Sequence, residues 1–131
     1  MSFALDVSKF VEKAKKSPET VMRQVSIKLF SAIIKASPVD TGRFRMNWMA
    51  SGGNPASGVT DATDKSGNIA TGNATSFVLK AADWREFTLT NNLPYAQRLE
   101  YGWSQQAPQG FVRVNVSRFQ QLINEEANKV K

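Results

Sequence analysis

Three places in this chain hold residue types that could do chemistry at their spacing. Asp83 and Glu86 stand three apart, Glu125 and Glu126 are adjacent, and Gly102-Trp103-Ser104 approximates the turn that exposes a serine nucleophile. Two carboxyls with different proton affinities could serve as an acid/base pair. An i,i+3 pair is more simply a solvated face. The serine turn needs a second glycine where Gln106 stands, and it needs a base, yet the chain has no histidine. It has no cysteine either, which removes disulfides, thiolate nucleophiles and the common zinc and iron ligand sets. Phosphate-cradling and dinucleotide glycine patterns are absent. The reading is a non-enzymatic protein with no cofactor and no metal, and a carboxylate-only hydrolase is the remote alternative.

The elements that would position any site follow from periodicity. The chain has 131 residues, 41% hydrophobic and 10% aromatic, enough for one domain with a real core. Val7, Phe10, Val11 and Ala14 predict a short helix over 6–16, capped by Asp6. Ser17-Pro18-Glu19 is a hydroxyl cap, a first-turn proline and a first-turn acid, so a second helix should run from Pro18 to about Ala36. Its stripe is Val21, Val25, Leu29, Ala32, Ile33 and Ala36, and Ser37-Pro38 should end it.

Phe44, Met46 and Trp48 alternate with Arg43, Arg45, Asn47 and Met49, which predicts a strand after the turn Val39-Asp40-Thr41-Gly42. Residues 51–75 hold five Gly, one Pro and no aromatic, and read as a long flexible loop. A brief helix over 76–82, a strand over 84–90 and a helical turn from Pro94 to Tyr101 capped by Gly102 should follow. Val112, Val116, Phe119, Ile123, Ala127 and Val130 predict a long C-terminal helix. Helices, strands and helix in that order make an α+β fold, a small antiparallel sheet packed with N-terminal helices and the C-terminal helix. Two strands leave open edges, so further strands from 51–75 or pairing between subunits are expected.

The segments Ser37–Trp48, SPVDTGRFRMNW, and Leu89–Phe119 resemble a family of tailed-bacteriophage proteins, the neck or tail-completion components also described as minor tail proteins. The most specific pieces are Pro38–Arg43, Asn91–Ala96 and Leu99–Gly102, and the 51–75 loop is not part of the likeness. The resemblance implies a virion structural protein assembled in the host cytoplasm. It would form a ring at the head–tail junction or the top of the tail, around the channel through which DNA leaves. Its partners would be copies of itself, an adjacent head-completion or adaptor protein, and a tail terminator or tail tube protein, with no membrane. A domain of this size has a radius of gyration near ~14 Å, and six copies about 30 Å across leave a hole of about 30 Å, so a hexamer is preferred.

Each quoted piece also has a local reading. Asp40 or Thr41 can bond nearby backbone while Gly42 takes a positive φ. On the functional reading Asp40, Thr41, Arg43, Asn91, Asn92, Tyr95, Glu100, Tyr101 and Trp103 form the subunit or partner interface, with Arg43 holding Glu100 of a neighbour.

The formal charge of +6, from 17 Lys+Arg against 11 Asp+Glu, is concentrated in residues 1–50. Lys9, Lys13 and Lys16 share one helical face and are candidate contacts to DNA phosphate or an acidic partner. The competing reading is therefore a small basic protein that binds nucleic acid without sequence preference. No stretch has the length and apolarity of a membrane span or a signal peptide, and the chain is expected to be soluble.

Overall fold

A computed structural model describes residues 1–5, 17–107, 109–119, 121 and 125. The expected helix over 6–16, with its Asp6 cap and its lysines, lies outside them, as does most of the chain beyond Phe119.

Helix α1 (Pro18–Ala36) begins as its sequence dictates, with the Ser17 hydroxyl accepting the Thr20 N–H at 3.2 Å and Pro18 in the first turn. Its buried face is wider than the expected stripe. Met22, Phe30 and Ile34 join Val21, Val25, Leu29 and Ile33 below 2% exposure, while Ala36 is exposed, because α1 is packed along more than one side. Ser37 ends it and turns polar atoms inward, donating to the Ile33 carbonyl at 2.7 Å and accepting the Trp48 indole N–H at 2.9 Å.

The strand expected to begin at Arg43 is one helical turn, α2 (Arg43–Met46), followed by strand β2 (Trp48–Ser51). Phe44 and Trp48 are four apart as well as alternate, so both periods bury them, and the Met46 N–H bonding back to the Gly42 carbonyl selects the helical one. The rings of Phe44 and Trp48 meet edge to face at 5.9 Å, and Phe111 closes the triangle at 5.5 and 6.2 Å.

The expected 51–75 loop is loop only as far as Gly67. Helix α3 (Asn68–Lys80) occupies its last eight residues and absorbs most of the brief helix expected at 76–82. Ala70, Ala74 and Val78 recur every four residues and are buried against α1 and β2. Small side chains here permit close helix approach, so the lack of large apolar residues marks a tight contact.

Strand β3 (Phe87–Asn91) starts three residues later than expected and is buried throughout, because it is central in a three-stranded antiparallel sheet of order β1-β3-β2. The third strand is β1 (Ser2–Leu5), pairing Ser2 with Thr90 and Leu5 with Phe87; it comes from the N-terminus, not from 51–75 or a second subunit. The expected turn after Pro94 is helix α4 (Ala96–Arg98), which widens into a π-type turn over Leu99–Trp103, and Gly102 at φ 95° stops it. Helix α5 (Val112–Val116) opens the C-terminal segment, with Phe111 at its entry wholly buried. The fold class is α+β, with α1, α3, one sheet face and Phe111 sharing one core.

Candidate interaction cleft

Two stretches far apart in sequence face each other across an open cleft of about 260 Å³. One wall is Pro38–Gly42 with Phe44, and the other is Tyr95, Leu99, Ser104 and Gln106. The Gln106 side-chain amide closes one end by pairing with the Val39 main chain as a strand would, accepting its N–H and donating to its carbonyl, both at 2.8 Å.

The Val39–Gly42 turn takes its shape from what packs behind it. Gly42 has φ 93°, and a Cβ there would sit 2.6 Å from the Lys65 nitrogen, so only glycine fits. The Gly42 carbonyl accepts the Asp64 N–H at 3.0 Å, and the Thr41 hydroxyl accepts the Arg43 N–H at 3.2 Å, which is the local role expected of Thr41.

Behind the turn the 55–67 loop is strapped down. Arg43 donates to the Thr60 carbonyl at 3.0 Å and pairs with Asp61 at 3.2 Å. Asn47 exchanges two bonds with the Thr60 main chain, and Arg45 donates to the carbonyls of Ser37, Lys65 and Lys35. Asp64 accepts from the Ser66 hydroxyl and from the N–H groups of Gly67, Ile69 and Ala70, so it caps α3. Burial raises the Asp64 carboxyl, but those donors outweigh it and hold the group below its usual range.

Glu100 is the second such carboxylate. It is 1% exposed, and Oε1 accepts the N–H groups of Phe111 and Val112 at 2.7 and 2.8 Å. Oε2 accepts the Arg113 N–H and its Nε, both at 2.9 Å. Burial raises this carboxyl too, and the N–H groups of Phe111, Val112 and Arg113 together with the Arg113 side chain bring it below the usual glutamate value. The carboxylate fastens the first turn of α5 to the π-type turn.

These partners correct the expected interface. Arg43 is committed to Thr60 and Asp61, and Glu100 is enclosed by its own chain, so an Arg43–Glu100 pair between subunits is excluded by geometry. Asn91 is wholly buried, donating to the Phe44 carbonyl at 2.9 Å and accepting the Leu93 N–H, and Asn92 donates to the carbonyls of Ala56 and Gly58. Both are internal braces. Asp40, Thr41, Tyr95 and Tyr101 remain exposed, with Tyr95 resting on Phe44 at 6.0 Å. The side chain of Trp103, like Lys9, Lys13 and Lys16, lies outside what the structure describes.

Sequence reasoning passed over Asp64, Gln106 and Arg113. For Asp64 a signal existed: an acid four residues before Asn68, ahead of apolar residues recurring every four, is a helix-start pattern. Nothing local marks Gln106 or Arg113, whose partners are 67 and 13 residues away.

Chemically the cleft offers a free carboxylate, a hydroxyl, a phenol and apolar walls. The two deeply buried carboxylates have their lone pairs engaged by N–H donors and are held ionised, which suits them to bracing and not to taking up a proton. Asp83 and Glu86 are both exposed, and Asp83 accepts the Arg85 N–H in a local turn. Among the described residues no group of three or more His, Cys, Asp or Glu side chains could hold a metal ion, and no helix is long and apolar enough to cross a membrane. Comparison with protein-family models, with curated proteins and with solved structures finds no match.

Proposed function

We propose that the protein is a non-enzymatic structural component of a tailed-phage virion. On this reading it forms a ring, preferably of six copies, at the head–tail junction or the upper end of the tail, around the channel for DNA. Its neighbours would be a head-completion or adaptor protein on one side and a tail terminator or tail tube protein on the other. One observation carries the reading beyond the likeness in sequence. The two segments that bear the resemblance, around residues 38–43 and 91–102, meet at a single cleft whose rim keeps Asp40, Thr41 and Tyr95 open to solvent. Residues of the same segments that point inward are fully used as braces, so the side chains left over are those suited to meeting another protein.

A closed ring needs a heterologous contact, one patch of each subunit against a different patch of the next. The cleft is offered as one of the two. Sedimentation and electron micrographs of the purified protein, with and without the neighbouring neck proteins, test this. Rings are expected, and Asp40→Arg combined with Tyr95→Ser should shift the mass toward the monomer while circular dichroism still shows a folded subunit. A chain that stays monomeric under every condition, or whose antibody label falls away from the neck and upper tail of purified virions, overturns the proposal.

A further inference from the structure

Helix α3 lies at the surface, yet it carries no charge along its length until Lys80 closes it. Its side toward α1 buries Ala70, Ala74 and Val78, and its opposite side presents Ile69, Gly72, Asn73, Leu79 and Lys80 to solvent. An outward helix face normally carries charged side chains. Here it carries Ile69 and Leu79, 54% and 55% exposed, and a Cβ added at Gly72 would meet nothing within 4 Å.

α1 and α3 run antiparallel, which fixes where the ends of that face lie. Lys35, in the last turn of α1, donates to the Ser66 carbonyl just ahead of α3 at 2.9 Å. Arg23, in the second turn of α1, donates to the Val78 and Ala81 carbonyls at 2.5 and 2.8 Å. Leu79 and Lys80 therefore sit beside the start of α1. The cleft lies past its other end, since Pro38 follows the Ser37 cap. From Arg23 to Ala36 the helix rises about 20 Å, so the two patches are separated along it and both can be occupied at once.

The patches also match in chemistry. Asp40 is the one charged side chain among the described residues that line the cleft, and it is exposed and pairs with no cation among them. Lys80 is exposed as well and pairs with no anion among the described residues. Pro38, Phe44, Tyr95 and Leu99 give the cleft apolar walls. Its volume of about 260 Å³ falls below the roughly 300–1,000 Å³ of small-molecule sites, and suits one or two side chains.

We propose that the last turn of α3 in one copy docks in the cleft of the next copy, with Leu79 entering between Phe44, Tyr95 and Leu99 and Lys80 meeting the Asp40 carboxylate. This rests on the ring reading and names the second of the two patches that a heterologous contact requires. Ile69, in the first turn of α3, stands at the same end of α1 as the cleft, which leaves Leu79 as the side chain placed for a head-to-tail contact. An exposed ion pair is weak by itself, so burial of Leu79 supplies the affinity while the charges set the register.

The experiment is sedimentation of the full-length chain and of Asp40→Lys and Lys80→Asp, with circular dichroism to show that each is folded. Either reversal alone opposes like charges at every contact and should lower the association constant by about tenfold or more. Mixed in equal amounts the two should assemble again, because alternating copies restore opposite charges throughout. Leu79→Ser should weaken assembly by about tenfold to a hundredfold, the scale of one leucine returned to water. The chain has no cysteine, so Asp40→Cys and Lys80→Cys can be joined by a short bismaleimide without background. A mixture of the two should give linked pairs, and neither variant alone should.

Reversals that mixing does not rescue, or linkage within one variant alone, overturn the proposal; the latter points to a symmetric contact instead. Rings insensitive to the reversals sink this contact and leave the ring standing. Open filaments that are sensitive and rescued sink the ring and leave the contact standing, because a head-to-tail contact whose rotation does not close makes a fibre. A chain that stays monomeric under every condition overturns both.

Discussion

Replacing Glu100 by glutamine changes one atom's chemistry at a position where four donors converge. Two N–H groups address Oε1 and two address Oε2, all within 2.9 Å. Whichever way the new amide is turned, its NH2 faces two of those donors and leaves them unpaired. Each buried unpaired donor costs about 1–3 kcal/mol. Two of them make a loss of about 2–6 kcal/mol, which for a chain of this size lowers the melting temperature by about 8–24 °C.

A pH series sharpens the test. The Glu100 carboxyl lies lower in the folded protein than in the unfolded chain, so between those two values the unfolded state binds more protons. The stability Glu100 contributes is therefore fully present above the ordinary glutamate value of about 4.3 and is lost as pH falls through the folded value. The gap between parent and Glu100→Gln, measured by urea unfolding, should be widest near neutral pH and shrink in acid. Asp64 is lowered in the same sense, so the variant itself should still weaken in acid. A variant that melts within about 2 °C of the parent at neutral pH, a shift well under 1 kcal/mol, would refute the reasoning and release Glu100 to act at an interface.

Gly42→Ala, at φ 93° and with a Cβ 2.6 Å from the Lys65 nitrogen, should destabilise by more than about 1 kcal/mol. Gly52→Ala, with nothing within 4 Å of its Cβ, should stay within about 0.5 kcal/mol; urea midpoints compare the two. Phe111→Ala should cost about 3–5 kcal/mol, because this ring is wholly buried between Phe44 and Trp48. Phe119→Ala should cost clearly less, because Phe119 is only half-buried; a larger loss at 119 in thermal melts would show the C-terminal segment packs differently.

Local chemistry was enough for α1, since Ser17-Pro18-Glu19 and Ser37-Pro38 act on their own backbone and need nothing distant. The same holds for the stop at Gly102 and for the choice of glycine at 42, where a positive φ favours glycine. The α+β class was legible because the order of helical and extended segments survives small errors of boundary. Tertiary structure decided the rest. Phe44 and Trp48 satisfy a strand period and a helical one alike, and only the Met46 bond to Gly42 chooses. Ala70 and Ala74 read as loop until α1 lies against them. β1 is four residues long, too short to show a period, and exists because β3 offers it an edge.

The cleft divides in the same way. Its residues were visible as a likeness in sequence, but a residue type does not say which way a side chain points. Glu100 and Arg43 have the composition of an exposed ion pair, and each finds its donors or acceptors within the chain. The sequence by itself therefore determined which segments matter. Only the folded chain decided which side chains are spent holding those segments together and which remain at the surface, because a buried charge must be matched by partners that the tertiary arrangement alone supplies.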